Sequence, residues 1–220
     1  MKRTIMVLFL AGVALCSACS QQGRESSSRP APSVSPGEAA AAPAERGSIK
    51  VVHSADRLIF RLKADEKGYK VYGEGDQVIA RLKVESDRVK AEDAAGKPLL
   101  KLKHKDNKCK AEDESGAVLF TLKPRPDGDY KLEDASGALL YRIKKETYGY
   151  KVTDARDQTL YKMKVASDRV IADGPDGKKL MEVKGSQAAL AASAVALESF
   201  DLPRRAALFA YLSHFEAKAP

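Results

Sequence analysis

The run Gln187-Ala-Ala-Leu-Ala-Ala-Ser-Ala-Val-Ala-Leu197 carries no charge and almost no polar side chain. Its alanines and leucines favour a helix, and a helix over 187–199 is apolar on every side. Such a rod has to be surrounded. It is too short to cross a bilayer, so protein must enclose it. Just beyond, Asp201 is placed to cap a second helix with Pro203 in its first turn. There Leu208, Leu212 and Phe215 make one apolar stripe, with Arg204, Arg205 and Glu216 elsewhere, which predicts a short amphipathic helix. The two helices take up residues 186–217.

The material for the enclosure precedes the rod. Leu58-Ile-Phe-Arg-Leu-Lys63 recurs as Val78-Ile-Ala-Arg-Leu-Lys83 and Leu139-Leu-Tyr-Arg-Ile-Lys144, and seven such segments end at Lys63, Lys83, Lys103, Lys123, Lys144, Lys164 and Lys184. Their spacing is 20 residues, with a single step of 21. A period this regular means a repeat architecture. Between these segments lies a second motif, Ile49-Lys-Val51, Tyr69-Lys-Val71 or Tyr150-Lys-Val152, often followed by Asp and then Gly, as in Asp93 to Gly96, Asp113 to Gly116 and Asp134 to Gly137. Asp bonds its own backbone in turns and Gly accepts positive φ. Each unit is therefore two strands with a tight turn and a short polar link.

Both strands alternate with period two. Leu139, Tyr141 and Ile143 share one face, Arg142 and Lys144 the other. The sheet has a dry face and a lysine-studded face. An apolar residue at position two, as in Leu140, breaks the alternation and marks a bend or a patch covered by its neighbours. Cys109 falls on the dry face and reads as a small core residue. A flat sheet of about fourteen such strands would leave two sticky edges, and closing it removes them. A barrel of more than about eight strands cannot fill its lumen with its own side chains, whereas a helix is about 10 Å across. The expected fold is mainly β: a closed antiparallel barrel of about 12–14 short strands over residues 49–185, enclosing the 187–199 helix. An open β-solenoid or meandering sheet capped by the helices also uses a 20-residue unit.

Hairpin units such as Asp134-Ala-Ser-Gly-Ala-Leu-Leu-Tyr-Arg-Ile-Lys144, followed by the apolar helix, resemble the tubby-like superfamily, which includes LURP-one-related proteins and phospholipid scramblases. The resemblance spans about residues 49–200 and implies a closed antiparallel barrel around a hydrophobic C-terminal helix. The repeats here are more regular than is usual in that family. Its phosphoinositide-contacting and calcium-binding residues have no match in this sequence.

The first residues read differently. Lys2 and Arg3 precede an uncharged run from Thr4 to Ala18, and Cys19 follows. That is the pattern of an export signal over 1–18. Leu15-Cys16-Ser17-Ala18-Cys19-Ser20 resembles the lipobox of bacterial lipoproteins, with Cys16 where that family usually has Leu. The resemblance implies a diacylated Cys19 as the mature N-terminus, hence a lipid-anchored protein of the cell envelope. With Ser20 rather than Asp after the cysteine, it implies the periplasmic side of the outer membrane in a bacterium with two membranes. Residues 19–48, rich in Ser, Pro, Ala, Gly and Gln, cannot bury enough surface to offset their ordering entropy and read as a tether. Such a chain reaches roughly 30 Å on average.

Net charge is +8, and beyond residue 48 the balance is 33 Lys and Arg against 27 Asp and Glu. The charges are interleaved, which argues against a nucleic-acid partner. There is no Ser/His/Asp set, glycine-rich phosphate loop or metal-ligand spacing, so neither catalysis nor a cofactor is expected. His53, His104 and His214 read as surface or rim residues. The leading expectation is a membrane-tethered binding or scaffolding module whose wet-face lysines, Lys63 through Lys184, meet anionic lipid or cell-wall polymer. Lysine on exposed strands also serves simply to prevent aggregation. The alternatives are a carrier of a lipid or other hydrophobic ligand inside the barrel, and a purely structural envelope protein.

Overall fold

The computed structural model of the protein describes residues 47–216. The expected export signal over 1–18, Cys19 and the tether up to residue 46 lie outside the described residues. The strands are β1 (Ile49–His53), β2 (Leu58–Asp65), β3 (Gly68–Tyr72), β4 (Val78–Val84), β5 (Arg88–Asp93), β6 (Pro98–Lys105), β7 (Lys108–Glu112), β8 (Val118–Pro124), β9 (Tyr130–Asp134), β10 (Leu139–Glu146), β11 (Gly149–Asp154), β12 (Thr159–Val165), β13 (Arg169–Asp173) and β14 (Lys179–Lys184). Each pairs antiparallel with its sequence neighbours, and β1 pairs with β14, Val51 opposite Val183, to close the barrel. No edge is left for another chain to join.

The tight turns that lead from the second strand of one unit into the first strand of the next all lie at one end of the barrel, here the far end. In three of them the first Asp accepts two backbone N–H bonds, Asp93 from Ala95 and Lys97, Asp134 from Ser136 and Ala138, and Asp154 from Arg156 and Gln158, while Asp113 accepts the Ala117 amide and the Ser115 hydroxyl. The turn closes on a residue at positive φ, Gly96, Gly116, Gly137 and Gly177 in some units and Asp56, Asp76 and Asp157 in others. The extra residue shifts the register where the next strand begins, between Leu139 and Tyr141 for example. That shift is the bend expected at position two. Ile59, Ile79, Leu99, Leu119, Leu140, Leu160 and Leu180 are half-buried there.

The inner wall is apolar, and Phe60, Leu82, Leu102, Leu122, Leu132 and Ile143 are fully buried. Two helices fill the lumen. From β14 the chain enters as α1 (Ala189–Ser193), tightens into a 3-10 turn over Ala194–Ala196, reverses near the far end, and returns as α2 (Leu202–Glu216). The regular part of the first rod is thus shorter than the expected 187–199, although residues 189–197 are all buried. The second helix is not merely amphipathic: Ala206 to Leu212 are buried without a break. The reason is room. A fourteen-stranded ring is wider than one helix of about 10 Å, so a helix pair is needed. Side-chain volumes are matched across the lumen. The alanine-rich α1 packs on β11 and β12, which offer Tyr161 and Met163, whereas α2, with Phe209 and Tyr211, packs on β4 and β5, which offer Ala80 and Ala91.

Asp201 caps α2 as expected, its Oδ1 accepting from the Arg204 amide at 2.9 Å. The Arg205 guanidinium fastens the reversal by donating to the carbonyls of Phe200 (2.7 Å), Glu198 (2.9 Å) and Val195 (3.3 Å). At the far end the Tyr141 hydroxyl donates to Ser199 Oγ at 2.9 Å, and the Tyr161 hydroxyl donates to Glu198. These bonds latch the turn between the helices to the wall.

Candidate functional site

The lysines that end the first strands face outward, and six of the seven lie against carboxylates. Lys83 reaches Glu92 at 2.5 Å, Lys103 reaches Glu112 at 2.6 Å, Lys123 meets Glu133, and Lys164 reaches Asp173 at 2.7 Å. In these four the acid is on the following strand, diagonally across the register, so the period of the repeat carries the ion pair with it. Lys144 pairs instead with Asp157 at 2.7 Å, and Lys184 with Asp56 at 3.6 Å. Lys63 has no carboxylate partner among the described residues. Tyr72 stands where the acid stands in other units, and Arg61 lies over its ring at 4.8 Å.

The acids are well covered, with Glu112, Asp173 and Glu182 buried among lysine and arginine stems. The Lys103 ammonium holds the Glu112 carboxyl below the usual glutamate range, and the Arg169 guanidinium does the same for Glu182. The expected polar-face site is therefore a ladder of cation–carboxylate pairs with Lys63 left over. Exposed pairs of this kind contribute roughly 0–1 kcal/mol each.

The other place where chemistry gathers is the barrel end opposite the tight turns, here the mouth. Strand β1 starts there, with the Ser48 carbonyl against Gly185; α1 enters there and α2 ends there. Position seven of each first strand points inward at this rim, two residues past the buried position five. Its occupants are Ala64, Val84, His104, Pro124, Lys145, Val165 and Gly185. Lys145 is the one Lys or Arg in the ring. The repeat is broken there by a charge on the dry side of the sheet.

On the β6–β7 side the mouth is stopped. His104 Nδ1 lies 2.7 Å from the Tyr211 hydroxyl, and the Phe215 ring stacks on His104 at 4.8 Å. Beneath them Cys109 is buried, and burial pushes its thiol and the Tyr211 phenol well above their ordinary ranges. Cys109 is the core residue expected, and His104 the rim residue. On the β10–β12 side the mouth is open. A hollow of about 810 Å³ is bordered by Lys145, Tyr148, Tyr150, Val165, Ala188 and Ser213. A second hollow of about 470 Å³ adjoins it across Lys145 and Tyr150 and reaches Leu190 and Leu212. Burial pushes the Tyr148 phenol up, with the Glu146 carboxylate adding to the effect.

Three features set this hollow apart. Val165, half exposed at 50 %, is the one large apolar side chain left exposed among the described residues. Ser213 Oγ is buried with no hydrogen-bond partner among them. Of the charges beside the hollow, Glu146 is neutralised by Lys151 at 2.9 Å and Lys164 by Asp173, while the Lys145 ammonium makes no ion pair among the described residues, its amide donating to Asp129 Oδ1 at 2.7 Å. Sequence reasoning centred on the outward lysines and passed over Lys145. The signal that marks it is its place in the repeat, where other units carry Ala, Val, His, Pro or Gly.

Among the described residues no helix is long and apolar enough to cross a membrane, and no cluster of three or more His, Cys, Asp or Glu is placed to hold a metal. No family model matches the chain, and no curated protein matches it. Among solved structures it is similar to an X-ray structure of a protein from Arabidopsis thaliana, at 13% identity and a TM-score of 0.38, over 70% of this chain and 91% of that one.

Proposed function

We propose that the protein is a lipid-anchored, non-enzymatic binding or scaffolding module of the bacterial cell envelope. The observation that carries this reading is the filled lumen. Helices α1 and α2 occupy the interior, which leaves the outer wall and the two barrel ends as the surfaces available to a partner. The wall suits a scaffold: six of its seven strand-ending lysines are paired with carboxylates, its sheet has no edge, and its repeat is uniform. The mouth suits binding, because the period is broken there by Lys145. The anchor in this reading is Cys19, joined to β1 by the tether over 19–48.

Fractionation of a bacterium expressing the full chain tests the proposal. The native chain is expected in the membrane fraction with acyl groups on Cys19 by mass spectrometry, and Cys19→Ala is expected in the soluble envelope fraction. A native chain recovered without acylation, or a Cys19→Ala chain that stays membrane-bound, overturns the reading.

A further inference from the structure

We infer that the open half of the mouth, bounded by β10, β11, β12 and the facing ends of α1 and α2, binds a single-chain anionic amphiphile, with Lys145 holding the carboxylate of a fatty acid and the apolar rim taking its chain.

The geometry supplies each part. The hollow of about 810 Å³ falls within the range of about 300–1,000 Å³ found for small-molecule sites. Its lining divides by chemistry. Tyr148, Tyr150, Val165, Ala188 and Ala189 offer apolar surface, and the adjoining hollow extends this surface to Leu190 and Leu212. An exposed valine beside alanine and tyrosine is surface that a hydrocarbon chain removes from water. Lys145 stands at the junction of the two hollows, on the inward side of β10 and opposite Tyr150 in the register.

Charge decides the head group. With Glu146 held by Lys151 and Lys164 by Asp173, the two adjoining hollows keep the cations of Lys145 and Arg125, neither in an ion pair among the described residues, and these select an anion. Ser213 Oγ, covered and unpartnered, adds a hydrogen-bonding group on α2 facing the same space. A sealed interior would have required a helix to leave before a lipid could enter. The mouth needs no such step, because the hollow lies outside the packed helix pair. This site deepens the binding-module reading and does not depend on the lipid anchor.

The test uses the full chain carrying Cys19→Ala, so that no acyl group of its own competes for the site. Palmitate, hexadecanol and acetate are titrated by isothermal calorimetry, and native mass spectrometry reads the stoichiometry. Palmitate is expected to bind one to one, hexadecanol about tenfold more weakly, and acetate not measurably. Lys145→Gln is expected to weaken palmitate about tenfold and leave hexadecanol unchanged, Lys145→Arg to restore palmitate, and Lys97→Gln, at the far end, to change nothing. Far-UV circular dichroism confirms that the variants keep the barrel. Equal binding of palmitate and hexadecanol, indifference to Lys145→Gln, or no saturable binding overturns the inference. None of these outcomes bears on whether Cys19 is acylated.

Discussion

At the scale of the residue, the repeat supplies its own internal comparison. Gly137 closes its turn at φ 87°, and a Cβ there meets nothing within 4 Å. Equivalent turns carry Asp56, Asp76 and Asp157 at φ of 56°, 64° and 64°. Gly137→Asp is therefore expected to cost no more than about 1–2 kcal/mol in urea unfolding, the penalty of one residue in the left-handed region. Gly149 is another matter. At φ 139° its Cβ would lie 2.2 Å from the Met163 carbonyl oxygen across the β11–β12 ladder, so backbone would have to move. Gly149→Ala is expected to cost about 2–4 kcal/mol in the same measurement. Turn chemistry was legible in the sequence at this scale, because Asp followed by Gly recurs at fixed offsets. The close approach at Gly149 was not, since a glycine starting a strand looks the same whether or not a carbonyl lies against it. Lys145 lay between these cases: it was visible as a break in the period, yet easily lost among lysines that obey it.

At the scale of the element, strands were easier to read than helices. Period-two alternation and the 20-residue spacing mark the β-units, and the structure closes them as expected. Only the position-two leucines and isoleucines stood outside the pattern, and the register shift at each turn accounts for them. The ion-pair ladder was legible in principle too, because Glu92, Glu112 and Asp173 lie nine residues after Lys83, Lys103 and Lys164, and Glu133 ten after Lys123, where the repeat takes its 21-residue step. The helices were harder. Arg204 and Arg205 in the first turn of α2 suggested a solvated face, but Arg205 is turned back onto the carbonyls of the reversal. A planar guanidinium satisfies three acceptors in a way an ammonium cannot. Arg205→Lys is therefore expected to lower stability by about 1–3 kcal/mol, the scale of hydrogen bonds to a charged donor. Hydrogen exchange would show faster opening of α2 in that variant, with the β-wall amides retaining their protection.

At the scale of the whole molecule, the wall carboxylates set the response to pH. Glu112 and Glu182, beside Lys103 and Arg169, hold their protons less tightly when folded than the ordinary glutamate value of 4.5, and Asp134 lies below the aspartate value of 3.8 through its bonds from Ser136 and Ala138. A group whose value is depressed by folding adds stability above its unfolded value, and that stability is lost as pH falls through the folded one. The urea midpoint is therefore expected to be level near neutrality and to drop as the pH is taken below about 4. Protein that is more stable at pH 3 than at pH 7 would contradict the paired ladder.

The seam between β1 and β14 has a consequence for how the molecule comes into being. The two strands that must zip together are the first and last of the series, and the helical plug is made after both. During synthesis the growing polypeptide therefore emerges as a row of hairpins with an open flank, and the ring cannot shut until the final hairpin is out. Contacts so distant along the chain are slow to form. A protein assembled in this order keeps its ring unshut, and its first hairpin waiting for a partner, until its carboxyl end is released.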